Sequence, residues 1–373
     1  MPPFFILIGI FIASLIVSPL IVSSVSFLLR KYAILDRPEK YKSEQGRPPA
    51  PYGIWVSIFI VLLIFIPGVL LWWDFSATLE KRLLIMLILW GVLTIISFID
   101  DLDTIGKSKI AIPPLFRLAM QIVVGAIIGM TSIKISYISW AFWGILDLTG
   151  YSWEVILGDL HMTFYLLPIL ITILWYVLVF NAVNFSDWVP GLAGGFSLIS
   201  FIILGGLAIK LLFIDTSLAA EENSKFLLVI LAIIIPVTFF VTRLDISRRW
   251  LMGDSGTIML GFLIATLAII AWWKIATAMA VIGIYLIDLV YVITTRILKG
   301  KNPLKWDQST HLHFRLLELG LSQSQIRTIV FSLTAVFGVS AIFLPTIGKI
   351  ILLFFITIIS IFLTEILSLV KRK

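Results

Sequence analysis

Residues 97–106 read SFIDDLDTIG, three carboxylates within four positions, straight after a run that carries no charge. Acids at a helix C-terminus oppose the macrodipole, where Lys or Arg would be the favoured choice. If the helix continues, Asp100 and Asp103 share a face at i, i+3 while Asp101 points elsewhere. A solvated helix end is the plain alternative, but three such charges beside an apolar segment repel unless a cation is present. The chemistry this suggests is a hard divalent ion, since magnesium commonly binds through one or two carboxylates plus substrate phosphates.

Other polar clusters punctuate the chain. Asn181, Asn184 and Asp187 recur at i, i+3, i+6 where an apolar run ends, so one helical face would present two amides and a carboxylate; they would equally serve as a cap or as glue between helices. In LMGDSGT, Asp254 opens an apolar segment, which suits an ordinary N-cap. A helix N-terminus is also an anion site, and a metal-bound diphosphate is an anion. Arg249 lies just upstream. His311 and His313 are two of three histidines, in a loop with Lys305, Asp307 and Arg315, where a surface pair is otherwise incidental. Asp288 sits inside an apolar span, where an ionisable residue is expensive; it is either a buried structural partner or a site residue.

The elements that must position these groups follow from composition. Hydrophobic residues make up 60% of the chain and charged residues 13%, with a mean hydropathy of +1.10. That is an all-α polytopic integral membrane protein. Runs near the ~20 residues needed to cross the bilayer fall at about 4–29, 53–73, 83–99, 113–130, 162–181, 192–213, 226–243, 256–272, 275–298, 325–345 and 348–370. About 11 transmembrane helices are expected, in one domain over 1–373. The N-terminal run has no Lys or Arg before Arg30 and exceeds a secretory h-region, so it reads as a retained first span. Residues 131–160, rich in Trp and Tyr and broken by glycines and acids, read as an external interfacial loop or hairpin. Residues 299–325 read as a His-containing cytoplasmic loop.

Taking alternate loops as one compartment gathers 21 of the 28 Lys and Arg on one side. Positive loops face the cytoplasm, so the N-terminus is expected outside, the C-terminus inside and every polar cluster above on the cytoplasmic face. The net charge of +7 then reflects topology and anionic membrane lipids, with no call for nucleic acid. Cysteine is absent, which excludes disulfides, Cys-ligated zinc and iron–sulfur clusters.

The ordered set of motifs resembles the polyprenyl-phosphate N-acetylhexosamine-1-phosphate transferases, glycosyl transferase family 4, and within it the undecaprenyl-phosphate N-acetylglucosamine-1-phosphate transferases. The resemblance rests on Asp100 and Asp101; on Arg117 four residues before Gln121; on Asn181, Asn184, Asp187, Gly191 and Leu192; on LMGDSGT at 251–257; and on His311, His313 and Arg315. The chain departs from the pattern at Trp188 and Pro190, where the family has a glycine and an acid, and at Phe314, where a histidine is usual. Tyr52 and Ile54 are further departures in the PAPYGI stretch.

The resemblance implies an enzyme of the prokaryotic plasma membrane. It would transfer a sugar-1-phosphate from a UDP-N-acetylhexosamine to undecaprenyl or another polyprenyl phosphate, with release of UMP, at the start of a lipid-linked envelope glycan. It implies Mg2+ or Mn2+ held by Asp254 with Asp100 and Asp101 as the catalytic carboxylates, and a homodimer. Asn181, Asn184 and Asp187 would orient the donor, and Arg249, His311, His313 and Arg315 would contact phosphates. Two other classes fit the composition. A polytopic transporter would place its ionisable groups near the midplane, as only Asp288 does. A catalytically drifted scaffold is the reading suggested by Trp188, Pro190 and Phe314.

Overall fold

The structure, a computed structural model, describes residues 2–35, 60–62, 76–104, 112–140, 144–157, 160–215, 217–247, 249, 252–271, 275–301 and 311–370. Its helices are α1 (Pro2–Lys31), α2 (Ala77–Thr104), α3 (Pro114–Gly129), α4 (Leu166–Phe185), α5 (Leu192–Ile214), α6 (Leu218–Ile246), α7 (Gly253–Ile270), α8 (Ile275–Leu298), α9 (Leu312–Glu318), α10 (Gln323–Phe343) and α11 (Thr346–Val370). Nine helices among the described residues are long and apolar enough to cross a membrane. The protein is a mostly helical integral membrane protein. Helix α3 is shorter, and the expected span at 53–73 lies almost wholly outside the described residues, as do PAPYGI and Lys305–Asp307.

The chain is not helical throughout. Strands β1 (Tyr137–Trp140) and β2 (Gly144–Asp147) form one antiparallel hairpin, and β3 (Ser152–Leu157) and β4 (Leu160–Tyr165) a second. Aromatic and β-branched residues such as Tyr137, Ile138, Trp153, Val155 and Thr163 suit a pleated surface better than a helix. The expected span from 162 therefore begins later: Thr163, Phe164 and Tyr165 belong to β4, and α4 starts at Leu166.

Three antiparallel packings bring the polar motifs to one end of the bundle. On α3, a Cβ at Gly125 would lie 2.7 Å from the Ile173 Cα of α4, and one at Gly129 would lie 2.9 Å from the Ile169 Cα. The two glycines, four residues apart, let the backbones approach closely, as small residues do between membrane helices. The same register carries Gln121 to Asn181, so the start of α3 meets the end of α4. Between α4 and α7, Trp175 Nε1 donates to the Ala265 carbonyl at 3.1 Å, and the Tyr176 hydroxyl lies 2.6 Å from Thr266 Oγ1. Between α2 and α7, Thr94 Oγ1 lies 3.2 Å from Met259 Sδ.

Lipid tails are as apolar as Leu, so these helices gain little from burying hydrocarbon against one another. Close packing and hydrogen bonds of roughly 0.6 kcal/mol each must hold the register. Helix α7 sits at the centre: every residue from Ser255 to Ile270 is buried, as expected of a helix apolar on all sides.

Candidate active site

The antiparallel register places the C-terminal ends of α2 and α4 beside the N-terminal ends of α3 and α7. Asp100 and Asp101 end α2 and are almost fully buried, at 7% and 6% exposed. Arg117, in the first turn of α3, directs its guanidinium between two of the carboxylates. Its Nη2 is 2.6 Å from Asp100 Oδ2, and its Nη1 pairs with Asp254 Oδ2. Asn184, at the end of α4, donates from Nδ2 to Asp254 Oδ1 at 3.0 Å and to Thr257 Oγ1 at 2.9 Å. The Ser255 hydroxyl donates to Asp101 Oδ2. Groups scattered over some 160 residues of sequence thus form one network.

Asp254 is not the helix cap that its position suggests. The cap residue of α7 is Met252, with no side-chain cap bond, and Asp254 lies in the first turn. Its side chain faces Arg117 and Asn184 instead. The dipole of α7 favours negative charge at this end.

The donor set is hard oxygen. Asp100 and Asp254 pair with one guanidinium, and Asp101 is held beside them by Ser255; an excess of carboxylates over cations favours a further positive charge. Among the described residues no three His, Cys, Asp or Glu gather closely enough to hold an ion by themselves. A magnesium-type ion, which uses one or two carboxylates, would need substrate phosphate oxygens and water to complete its shell here.

Asp187 lies in the turn after α4, partly buried, and accepts a hydrogen bond from the Gly253 backbone. Burial, and then the neighbouring Asp245 and Asp254, push its carboxyl well above the usual range. Asp245 was not singled out in the sequence. It is 1% exposed and accepts the Gly191 N–H at 2.6 Å and the Met252 N–H. One carboxylate therefore ties the turn after α4 to the loop before α7, the two segments that deliver Asp187 and Asp254. Gly191 adopts φ +76 there, and a Cβ would lie 2.1 Å from Ile246 Cγ1, so glycine is required on both counts. The signal that could have revealed Asp245 is the one that marked Asp100, an acid at a helix C-terminus.

The histidines form a second group. His311 Nδ1 is 2.9 Å from Asp288 Oδ2, and its ring stacks on Phe185 at 4.7 Å. Since Phe185 follows Asn184, the end of α4 joins the two groups. His313 is 1% exposed, and neither ring nitrogen has a hydrogen-bond partner among the described residues. Burial, with a smaller push from His311, lowers its pKa to about 3. It is neutral at physiological pH, so any phosphate contact it makes is donation of one N–H rather than pairing of charge. The two departures Trp188 and Phe314 pack on each other at 5.2 Å between ring centroids, and Phe314 lies 4.4 Å from the His313 ring.

The remaining predicted residues are placed apart from the carboxylates or at their edge. Asn181 donates to Gln121 Oε1 at 2.8 Å and to the Val177 carbonyl. Arg249 is exposed in the connection before α7. Arg315 lies over the Tyr291 ring at 5.5 Å, and burial lowers its guanidinium pKa. Arg327, from α10, donates to the Pro190 carbonyl at 3.0 Å, an interaction that any residue at 190 would offer.

A helical bundle with carboxylates, an amide and a guanidinium gathered at one end defines an integral membrane protein with a charged site where four helix ends meet. The profile of glycosyl transferase family 4 matches residues 83–272, the segment from α2 through α7 that builds the carboxylate network. A "Probable undecaprenyl-phosphate N-acetylglucosaminyl 1-phosphate transferase" of Bacillus subtilis is 24% identical over 97% of this chain and 92% of its own length. An "Undecaprenyl-phosphate alpha-N-acetylglucosaminyl 1-phosphate transferase" of Salmonella typhi is 28% identical over 84% of this chain and 79% of its own. A "Phospho-N-acetylmuramoyl-pentapeptide-transferase" of Shouchella clausii is 28% identical over 91% of this chain and 96% of its own. The chain belongs to glycosyl transferase family 4, and it is an integral membrane phosphotransferase.

Proposed function

We propose that the protein transfers a sugar-1-phosphate from a UDP-sugar, an N-acetylhexosamine nucleotide, to undecaprenyl or another polyprenyl phosphate. An oxygen of the acceptor phosphate attacks the phosphorus that bears the sugar. The bond from that phosphorus to the oxygen of UMP breaks, leaving a polyprenyl-diphosphate sugar and free UMP. The observation that carries this reading is the meeting of Asp100, Asp254, Arg117 and Asn184 at one end of four helices, in a chain whose relatives bear the names of such transferases.

The task at such a site is charge neutralisation, since two polyanions must meet. Arg117 presents a planar fork suited to carboxylate or phosphate oxygens. Asp254 would hold Mg2+ or Mn2+ with Asp100 and Asp101, and the ion when bound would polarise the diphosphate and stabilise charge on the leaving UMP. Asp100 and Asp101 would receive the acceptor phosphate, one of them serving as base. A phosphate monoester has its second pKa near ~6, so the acceptor is already largely dianionic and needs modest help. Asn181, Asn184 and Asp187 would orient the donor, and Arg249, His311, His313 and Arg315 would contact phosphates. The uneven distribution of Lys and Arg supports a cytoplasmic active face. The acid within a span that would suit a transporter, Asp288, is committed to His311 and Leu312.

The test is incubation of purified protein with magnesium, a UDP-N-acetylhexosamine and undecaprenyl phosphate, with mass spectrometry of the lipid product. UMP release with a matching polyprenyl-diphosphate sugar is expected. No UMP release from any common UDP-sugar would sink the proposal.

A further inference from the structure

Asp288 is the sole acid of α8 and is 2% exposed. An acid within a membrane span is costly unless each of its oxygens is satisfied. Both are, and by one corner of the chain. Oδ2 lies 2.9 Å from His311 Nδ1, and Oδ1 accepts the Leu312 N–H at 3.0 Å. Leu312 begins α9, whose own cap position, His311, makes no side-chain cap bond. Asp288 therefore caps α9 from another helix while it grips the imidazole.

This arrangement restricts His311 in three ways. The backbone bond fixes where the residue starts, the Nδ1 contact fixes the ring's rotation, and Phe185 stacks on one face at 4.7 Å with 23° between planes. With Nδ1 committed to a carboxylate, Nε2 is the nitrogen left for a ligand. Phe185 is joined by one peptide bond to Asn184, which holds Asp254, so the imidazole is set in register with the carboxylate network.

We propose that Asp288 is a positioning residue for the transfer reaction, holding His311 as its Nδ1–H form so that Nε2 is presented to a substrate phosphate. The inference rests on the reaction proposed above. A carboxylate that only stapled the loop would need the Leu312 contact alone. Spending its second oxygen on the ring nitrogen ties it to the chemistry of that ring.

Asp288→Asn separates the two roles. The single amide oxygen can still accept from Leu312 N–H, but the amide then offers Nδ2–H to the ring and favours the Nε2–H tautomer. The experiment labels histidine with 15N in the purified full-length protein, assigns His311 by comparison with His311→Gln, and reads the ring-nitrogen shifts. Wild type is expected to carry the proton on Nδ1, and Asp288→Asn to move it to Nε2. UMP-release kinetics accompany each variant. Asp288→Asn should lower kcat/KM about 10–100-fold, the usual size for loss of an outer carboxylate partner of histidine. In the His311→Gln background the same change should cost less than about twofold, because coupled residues are non-additive.

An equal loss in both backgrounds overturns the proposal, and so does an Nδ1–H His311 in Asp288→Asn. A wild-type His311 protonated on Nε2 alone overturns it with no variant needed. Wild-type protein that releases no UMP sinks the transfer reaction itself, and is told apart from the other failures because the tautomer is read without substrate.

Discussion

Arg117 Nη2 lies 2.6 Å from Asp100 Oδ2 while the same guanidinium pairs with Asp254, so one cation joins two acids that are far apart in sequence. The consequence is a site whose geometry depends on a residue other than the carboxylates. Arg117→Lys keeps the charge and loses the fork. We expect about a tenfold or greater fall in kcat/KM, on the scale of ~1.4 kcal/mol per factor of ten. Arg117→Ala should leave the acids repelling, so that added magnesium raises its melting temperature more than it raises that of wild type. Equal magnesium shifts for the two proteins would remove Arg117 from the role of charge partner.

Asp254 contacts both Arg117 and Asn184 and stands partly open to solvent. Asp254→Asn preserves volume and the helix start, so a fluorescence melt should show the fold intact. UMP release should fall by at least about 10²–10³-fold, the scale for removing one group that stabilises developing charge. Retained turnover would take Asp254 out of the metal role.

Packing makes a separate prediction. A methyl at Gly125 would meet the Ile173 backbone at 2.7 Å, and backbone cannot step aside as a flexible side chain can. Gly125→Ala should cost about 1–3 kcal/mol of stability, the usual range for overpacking, and should lower activity by displacing Arg117 at the start of the same helix. At Gly91, where nothing lies within 4 Å of the added carbon, the same substitution should leave both measurements near wild type.

Protonation supplies another. Burial lowers the His313 pKa from its ordinary value to about 3, so between that value and ~6.5 the unfolded chain binds a proton that the folded chain refuses. The stability associated with neutral His313 is fully present above the unfolded value and is lost as pH falls toward about 3. His313→Gln, which has no such proton to take up, should show a shallower loss of melting temperature between pH 6.5 and 4, and parallel curves would place the acid sensitivity elsewhere.

Much of this was readable in the chain itself. Apolar runs at bilayer length specified most of the helices, because length and hydropathy are local properties. Asp100, Asp101, Asn184 and Asp254 stood out by residue type and spacing, and all four belong to the network at the gathered end of the bundle. The β-hairpins were less legible: residues 131–160 are as aromatic as a span end, and Thr163 to Tyr165 extend an apolar run without a break. The partners were less legible still. Arg117 matched a motif but had no role until it stood between Asp100 and Asp254, and Asp288 was open between a structural and a site residue until His311 was found on it.

Sequence alone determined that the protein lives in a membrane, that its costly polar groups gather at span ends and which carboxylates were unusual, since composition and periodicity act over a few turns of helix. Only the tertiary structure decided which carboxylate faces which cation, that Asp245 ties two motif loops together, and that Asp254 is paired rather than capping. Those relations depend on the register of α2, α3 and α4 against one another and α7, which small residues and buried hydrogen bonds set across distances that no local pattern encodes.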